Sequence, residues 1–209
     1  MVSAADCKAF TDALRATLEG EAARGGEAAG DCRAILAALP AVLPPPKPGP
    51  ARTVAVNHLD GALGRANGTP MEGLARAFAP VIRGSGWLST EGYRAQGMDQ
   101  RFFDNYGYVK YMGPGTNAPD RGISAGCTML GPHIHYPAHA HPARELYLVL
   151  SGTAEWQRGE EAWAARPPGS FVVHPSMAVH AMRTAGEALL ALYFWTGDLT
   201  TESRLVPGR

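Results

Sequence analysis

The chain contains 209 residues, 45% of them hydrophobic and 18% charged, so it has enough apolar material to bury a sizeable core. Its 19 lysines and arginines balance its 19 aspartates and glutamates, and a formal net charge of zero argues against a nucleic-acid partner. The sequence shows neither the pattern of a secretion signal nor the about 20 consecutive apolar residues of a membrane helix, so we expect a soluble, cytoplasmic protein with no membrane partner.

The N-terminal part of the chain is predicted to be helical. In residues 4–23 apolar side chains recur at intervals of four, which places them on one face of a helix. A second helix is predicted at 28–43, where it is stopped by a proline-rich stretch, 44–50, that predicts an extended linker. A third helix is predicted at 70–82, with Pro70 in the first helical position.

The character of the sequence changes at Trp87. Short β-branched and aromatic runs, separated by glycine and proline, predict many short antiparallel strands that close into an all-β domain. The sequence therefore predicts an N-terminal helical segment with its proline-rich linker, residues 1–86, followed by a β domain, residues 87–209. The predicted strands are 106–112, 124–130, 134–136, 145–151, 153–158, 161–165, 171–174, 180–183 and 189–195.

The three cysteines, Cys7, Cys32 and Cys127, are an odd number and show no Cys-x-x-Cys spacing. This pattern predicts neither a disulfide framework nor a zinc knuckle. Each cysteine is expected to be a small buried side chain.

Histidines are concentrated in one part of the β domain. Six of the seven, all except His58, lie between residues 133 and 180, and four of them fall within 133–141. Alternate side chains of a strand share a face, so His139 and His141 are expected to point the same way. Continued extension brings Glu145 and Tyr147 to that side as well.

Two neutral imidazoles and a carboxylate are the usual ligands of a first-row divalent metal ion. A third histidine from another strand completes such a site and leaves a position open for substrate, and His180 is the natural candidate. We therefore predict one divalent transition metal ion, zinc, iron or manganese, bound by His139, His141, Glu145 and His180. The alternative is a metal-free site in which these polar groups hydrogen-bond one another.

The remaining histidines are not predicted to be ligands. His133 and His135 form an alternative pair, but Pro137 is expected to interrupt the strand between the two pairs, and we assign them supporting or structural roles. His174 and His58 are expected to be structural or exposed.

A first motif makes the sequence similar to the cupin superfamily. The pattern His-x-His, three residues, Glu, six residues, Gly is matched without a gap by His139, His141, Glu145 and Gly152. The resemblance implies a mainly β fold, the cupin barrel (a double-stranded β-helix or jelly roll), behind the N-terminal helical segment.

A second cupin motif is matched with two departures. The pattern Gly, five residues, Pro, x, Gly, two residues, His is met by Gly169, Pro175 and His180. Met177 stands at the second glycine, and Thr184 stands where the pattern usually ends in asparagine. Neither position carries a ligand in the family, so the predicted ligands are unaffected.

The segment 135–152, which reads HYPAHAHPARELYLVLSG, narrows the resemblance. It is similar to the signature of the cupin dimethylsulfoniopropionate lyases and their lyase-like relatives, which also carry a helical segment before the barrel. In that family the metal holds the substrate carboxylate, a tyrosine removes the α proton, dimethyl sulfide leaves and acrylate remains. The resemblance implies a catalytic role for Tyr147, two residues after Glu145, and for Tyr136 in the His-Tyr-Pro step.

This chemistry is physically reasonable for tyrosine. A phenol with a pKa near ~10 is a poor base at neutral pH, but a neighbouring cation stabilises the phenolate. The substrate implied by the resemblance is a small sulfonium carboxylate, and aromatic faces can hold its cationic end without an opposing carboxylate. Four aromatic residues on predicted strands could do so or pack in the core: Trp156, Trp163, Tyr193 and Trp195.

Three functions follow from these observations. The first is a metal-dependent carbon–sulfur lyase acting on dimethylsulfoniopropionate. The second is another metal-dependent cupin enzyme, such as a dioxygenase, an isomerase or a lyase-like protein with a different substrate. The third is a non-catalytic cupin that binds a small molecule. A homodimer is the assembly we expect if the chain self-associates, because dimers are the commonest homo-oligomers.

Overall fold

The computed structural model describes residues 2–207, which form five helices, a short 3-10 turn and ten strands. The helices are α1 Ala4–Arg24, α2 Ala29–Ala38, α3 Thr53–Arg65, α4 Glu72–Ile82 and α5 Gln100–Asp104, and the 3-10 turn is Glu91–Tyr93. The strands are β1 Tyr106–Met112, β2 Ile123–Leu130, β3 His135–Ala140, β4 Arg144–Ser151, β5 Ala154–Arg158, β6 Ala164–Arg166, β7 Phe171–His174, β8 His180–Thr184, β9 Leu189–Thr196 and β10 Arg204–Leu205.

Helix α1 begins and ends with standard capping residues. The Ser3 hydroxyl accepts a hydrogen bond from the Asp6 amide at 3.1 Å, and the Asp6 carboxylate accepts one from the Ser3 amide at 2.9 Å. This capping box pairs amides that a helix N-terminus otherwise leaves unsatisfied. Gly25 follows the helix with φ 75°, a left-handed conformation that glycine adopts without strain.

Two predicted helices are shorter in the structure. Helix α2 ends at Ala38 instead of residue 43 because Pro40 disfavours the helical conformation at Leu39, which is extended with ψ 122°. The predicted third helix starts at Glu72, after Met71, and not at Pro70. The remaining predicted helix, 4–23, agrees with α1 to within one residue.

Helices α3 and α5 are not predicted from the sequence. Helix α3 contains two glycines, Gly61 and Gly64, which lower its intrinsic helix propensity. Contact with the sheet stabilises it, since Val54 and Leu59 belong to the main core. Five residues are too few for α5 to show a helical period.

The strands form two antiparallel five-stranded sheets. The first sheet has the order β1-β2-β9-β4-β7, and the second has the order β10-β3-β8-β5-β6. Among the described residues the two sheets are not joined by ladder hydrogen bonds, so the predicted closure into one continuous barrel is wrong in detail. From β2 to β5 and from β6 to β10 consecutive strands alternate between the sheets, as in a jelly roll, whereas β1–β2 and β5–β6 are hairpins within one sheet.

The helical segment packs on the outer face of the first sheet. Phe10 of α1 lies 4.8 Å from Phe78 of α4 and 5.6 Å from Tyr111 of β1, measured between ring centroids. Arg144 at the start of β4 donates two hydrogen bonds, of 2.6 and 2.8 Å, to the Asp31 carboxylate of α2. One hydrophobic core therefore contains both helices and strands, and the division at residue 86 stays a prediction.

The structure shows the local environment of three motif positions, Gly152, Met177 and Thr184. Gly152 has φ 77°, and a Cβ at this position would lie 2.2 Å from the carbonyl oxygen of Ala188. Met177, which replaces the family's glycine, has φ 61°, so a residue with a side chain occupies a conformation that favours glycine. Thr184, at the family's asparagine position, is the last residue of β8. Its hydroxyl accepts a hydrogen bond from the Ile134 amide at 3.1 Å and donates one to the Gly131 carbonyl.

No helix within residues 2–207 combines the length and the hydropathy that crossing a membrane requires. The three cysteines are free and buried, as predicted.

Candidate metal centre and substrate cavity

The four predicted ligands come together between the two sheets. His139 on β3 is the ladder partner of His180 on β8, His141 directly follows β3, and Glu145 projects from β4 of the opposite sheet. All four side chains are buried, with 1–3% of each residue exposed. Side chains from both sheets therefore form one buried polar cluster.

Three of these residues offer ligand atoms within 4.8 Å of one another: His141, Glu145 and His180. The Glu145 Oε2 atom lies 3.0 Å from His141 Nε2 and 3.3 Å from His180 Nε2. The His139 ring lies 4.1 Å from the His180 ring and 6.3 Å from the His141 ring, so it borders this group without belonging to it.

All three imidazoles are held in the same way. Each Nδ1 atom lies 2.8–3.0 Å from the carbonyl oxygen of the residue two positions away in the chain, in the pairs His139 with Pro137, His141 with Ala143, and His180 with Ala178. Because a carbonyl oxygen only accepts, each Nδ1 carries a hydrogen and donates it. In His141 and His180 the opposite nitrogen, Nε2, lies 3.0 and 3.3 Å from Glu145 Oε2, so these rings present an Nε2 lone pair toward the carboxylate, which is the orientation of a metal ligand.

The charges and unpaired atoms of the cluster are those expected of a cation-binding site. Burial lowers the pKa of His141, but the Glu145 carboxylate more than compensates and the pKa lies above its usual value. Without an ion, a proton on His141 Nε2 balances the carboxylate, which is the metal-free alternative. His180 Nε2 then has no hydrogen-bond partner within the described chain, although buried polar atoms in folded proteins normally have a partner. A divalent cation would satisfy all of these atoms together.

Trp195 on β9 orients the carboxylate. Its indole Nε1 donates to Glu145 Oε1 at 2.7 Å, and the indole stacks on the His141 ring at 4.3 Å. Oε2 is therefore the oxygen left to bind a metal. The sequence identified Trp195 only as an aromatic candidate for the sulfonium group, because its contact with Glu145 depends on the β4–β9 register.

We expect Trp195→Phe to weaken zinc binding by about tenfold, because it removes the donor that fixes the ligand carboxylate. The dissociation constant is measured by competition with a chromophoric chelator. Trp163→Phe is the matched control, since Trp163 contacts Arg183 and not the cluster. Equal zinc affinities for the two variants would show that the hydrogen bond does not orient Glu145.

A cavity of about 340 Å³ opens onto the cluster. His139, His141 and Glu145 form one end of it. Of the four aromatic candidates for the sulfonium group, Tyr193 and Trp195 line this cavity, whereas Trp156 and Trp163 do not. The cavity also receives polar side chains from the segments 89–92 and 199–203.

Both predicted catalytic tyrosines line the cavity. Burial and the neighbouring Glu145 carboxylate raise the pKa of Tyr147 well above its ordinary value. The Tyr136 ring stacks on the His139 ring at 4.1 Å, and its hydroxyl lies 3.0 Å from the Tyr93 hydroxyl, which donates to Ser203 at 2.7 Å. No sequence signal identifies Tyr93 or Ser203, because 110 residues separate them.

The other histidines divide between surface and interior. His133 and His135 are exposed, and His58 on α3 is half-buried. His174 is buried beside His180. The expected interruption at Pro137 is found in the ladder and not in the strand: β3 continues through Pro137, but its pairing with β8 shifts register between Tyr136 and His139.

Comparison with known proteins points to one enzyme family. The family model described as dimethylsulfoniopropionate lyase matches residues 29–191. The chain is 32% identical over 109 residues to dimethylsulfoniopropionate lyase DddQ of Ruegeria pomeroyi DSS-3. That match covers 52% of this chain and 54% of DddQ, so it spans about half the length of the curated relative.

Two solved structures resemble the whole fold. A chain from the crystal structures of the DMSP lyases RdDddP and RnDddQII has a TM-score of 0.69 at 25% identity, covering 94% of this chain and 99% of its own length. The crystal structure of DddQ from Ruegeria pomeroyi DSS-3 has a TM-score of 0.68 at 26% identity, covering 94% of this chain and 96% of its own. Both matches include the helical segment as well as the sheets.

Proposed function

The chain belongs to the dimethylsulfoniopropionate lyase family, and from this we propose that it is a metal-dependent carbon–sulfur lyase that cleaves dimethylsulfoniopropionate to dimethyl sulfide and acrylate. The observation that carries the proposal is the buried group of His141, His180 and Glu145, bordered by His139, at the end of a cavity that also contains two buried tyrosines. These are the residue types that such a lyase requires.

We propose His139, His141, Glu145 and His180 as the metal ligands. A bound divalent ion would act as a Lewis acid, neutralising the substrate carboxylate and the charge that develops when the α proton leaves. Zinc, iron and manganese all suit this donor set, and the choice among them stays a prediction. The homodimer and the cytoplasmic location also stay predictions.

Tyr147 is the proposed base. Its phenolate oxygen takes the proton from the carbon next to the carboxylate, and the electrons of that C–H bond form the carbon–carbon double bond. The C–S bond breaks with its electron pair on sulfur, so neutral dimethyl sulfide leaves, acrylate remains and the proton stays on Tyr147. Because burial and Glu145 raise the pKa of Tyr147, the residue depends on a nearby cation to act as a base.

Tyr136 is proposed as a second catalytic group. Its position between the His139 ring and the Tyr93 hydroxyl supports this assignment, because its hydroxyl belongs to a hydrogen-bonded chain that borders the cavity. Tyr193 and Trp195 offer aromatic faces to the sulfonium group. Such faces hold a cation without placing a second carboxylate near the reacting carbon.

The assay follows directly from the reaction. Purified chain is stripped of metal, reloaded with zinc, manganese or ferrous iron, and incubated with dimethylsulfoniopropionate, and dimethyl sulfide is measured in the headspace. We expect equal amounts of dimethyl sulfide and acrylate from at least one metal form and none from the stripped protein. Turnover that is the same with and without oxygen distinguishes an elimination from a dioxygenase. Absence of dimethyl sulfide with every metal would rule out the proposed activity.

A further inference from the structure

Four aromatic rings form a column behind the candidate metal centre. His180 and His174 stack face to face, with ring centroids 4.0 Å apart and planes 11° apart. His174 stacks on Trp156 at 5.9 Å and 29°, and Trp156 contacts Tyr147 at 4.7 Å. This ring column, His180–His174–Trp156–Tyr147, connects a proposed ligand to the proposed base through two residues that have no assigned role.

His174 is an unusual buried histidine. It lies on β7 as the ladder partner of Glu145, and only 1% of it is exposed. Neither of its ring nitrogens has a hydrogen-bond partner among residues 2–207. Burying two unpaired polar atoms costs free energy, so the favourable contact this side chain makes is the packing of its flat ring.

Trp156 occupies the same kind of position. It is buried on β5, its indole nitrogen also lacks a partner in the described part of the chain, and it does not line the substrate cavity. Neither ring therefore contacts the substrate, and any effect on the reaction must pass through His180 or Tyr147.

We propose that His174 and Trp156 are positioning residues whose ring packing fixes His180 and Tyr147 relative to each other across the metal centre. The proposal rests on the proposed function, because it takes His180 as a ligand and Tyr147 as the base. The Nδ1 hydrogen bond to Ala178 restrains the His180 ring in its plane, and the stacked His174 ring restrains it across that plane. A misplacement of about 1 Å can reduce the rate by about a hundredfold, so both restraints matter.

The test compares His174→Phe with His174→Leu in the full chain. Phenylalanine keeps a flat ring and removes the unpaired nitrogens, so the zinc dissociation constant is expected to stay within about threefold of the original and the unfolding temperature to rise or stay equal. Leucine has a similar volume without the ring, so zinc affinity is expected to fall by about tenfold. The absorption spectrum of the cobalt-loaded protein, which reports ligand geometry, should be unchanged in the first variant and altered in the second.

Val173→Ala supplies the control for a purely structural effect. Val173 precedes His174, is buried on the opposite face of β7 and packs in the main core. Its truncation should lower the unfolding temperature without changing zinc affinity. At the other end of the column, Trp156→Leu should lower kcat by about tenfold while KM and zinc affinity remain near their original values.

Two results would overturn the proposal. If His174→Phe loses as much zinc affinity as His174→Leu, the nitrogens and not the ring are responsible. If His174→Leu keeps both the original affinity and the original cobalt spectrum, the column does not position His180. Zinc affinity is measured without substrate, so a chain that makes no dimethyl sulfide but shows the expected affinities would refute the lyase function and retain the role of His174.

Discussion

Tyr147→Phe is expected to lower kcat for dimethyl sulfide release by about 100- to 10,000-fold, the range that a positioned general base contributes. The substitution removes one oxygen atom and leaves the ring, so its contact with Trp156 is retained. Because the ligands are untouched, bound zinc should remain near one ion per chain. Dimethyl sulfide release and metal content are measured on the same preparation.

Tyr193→Phe is the matched control for this prediction. Tyr193 is the ladder partner of Tyr147, lines the same cavity and is also buried. Removing its hydroxyl keeps the aromatic face proposed for the sulfonium group, so KM should change by less than about tenfold and kcat little. Comparable losses of kcat in the two variants would mean that Tyr147 is not the specific base. Tyr136 would then be the alternative base, and Tyr136→Phe would test it.

The ligand positions could be read from the sequence because their spacing is local. His139, His141 and Glu145 fall within seven residues, and the period of two in a strand places the histidines on one face. The structure brings His141 and Glu145 close to His180, and His139 borders this group. Most strand positions were predicted for a similar reason: short apolar runs between glycines and prolines mark their own ends.

The groups that support the ligands could not be read in this way. Trp195 reaches Glu145 because β4 and β9 pair in a particular register, and His174 reaches His180 because two strands of different sheets face each other. Neither contact leaves a pattern in the sequence, since the first depends on long-range pairing and the second on how the two sheets face each other. Long-range contact also contributes to α3, whose two glycines lower its helix propensity and whose buried side chains pack in the core that it shares with the sheet. The end of α2 is a different case, because Pro40 marks it locally.

His141→Ala is expected to abolish metal binding and turnover together. The variant loses one Nε2 ligand and also the partner that balances the Glu145 charge at 3.0 Å. We expect zinc affinity to fall by about a hundredfold or more and dimethyl sulfide release to fall to the level of the stripped protein. Saturating zinc should raise the unfolding temperature of the original chain, because an ion that binds only the folded state stabilises it, and this rise should disappear in the variant.

His135→Ala is the control for this prediction, because it removes a histidine from the segment 133–141 that is not a proposed ligand. His135 is exposed and contacts Trp163, away from the cavity, so its variant should keep full zinc content and the zinc-dependent rise in unfolding temperature. If His141→Ala kept stoichiometric zinc, the ion would have to lie elsewhere, and Tyr147 would lose the neighbouring cation on which its role as a base depends. Tyr147→Phe and His141→Ala therefore test two separate parts of the mechanism. Tyr147→Phe removes the base from an intact metal centre, whereas His141→Ala removes the metal centre that the base requires.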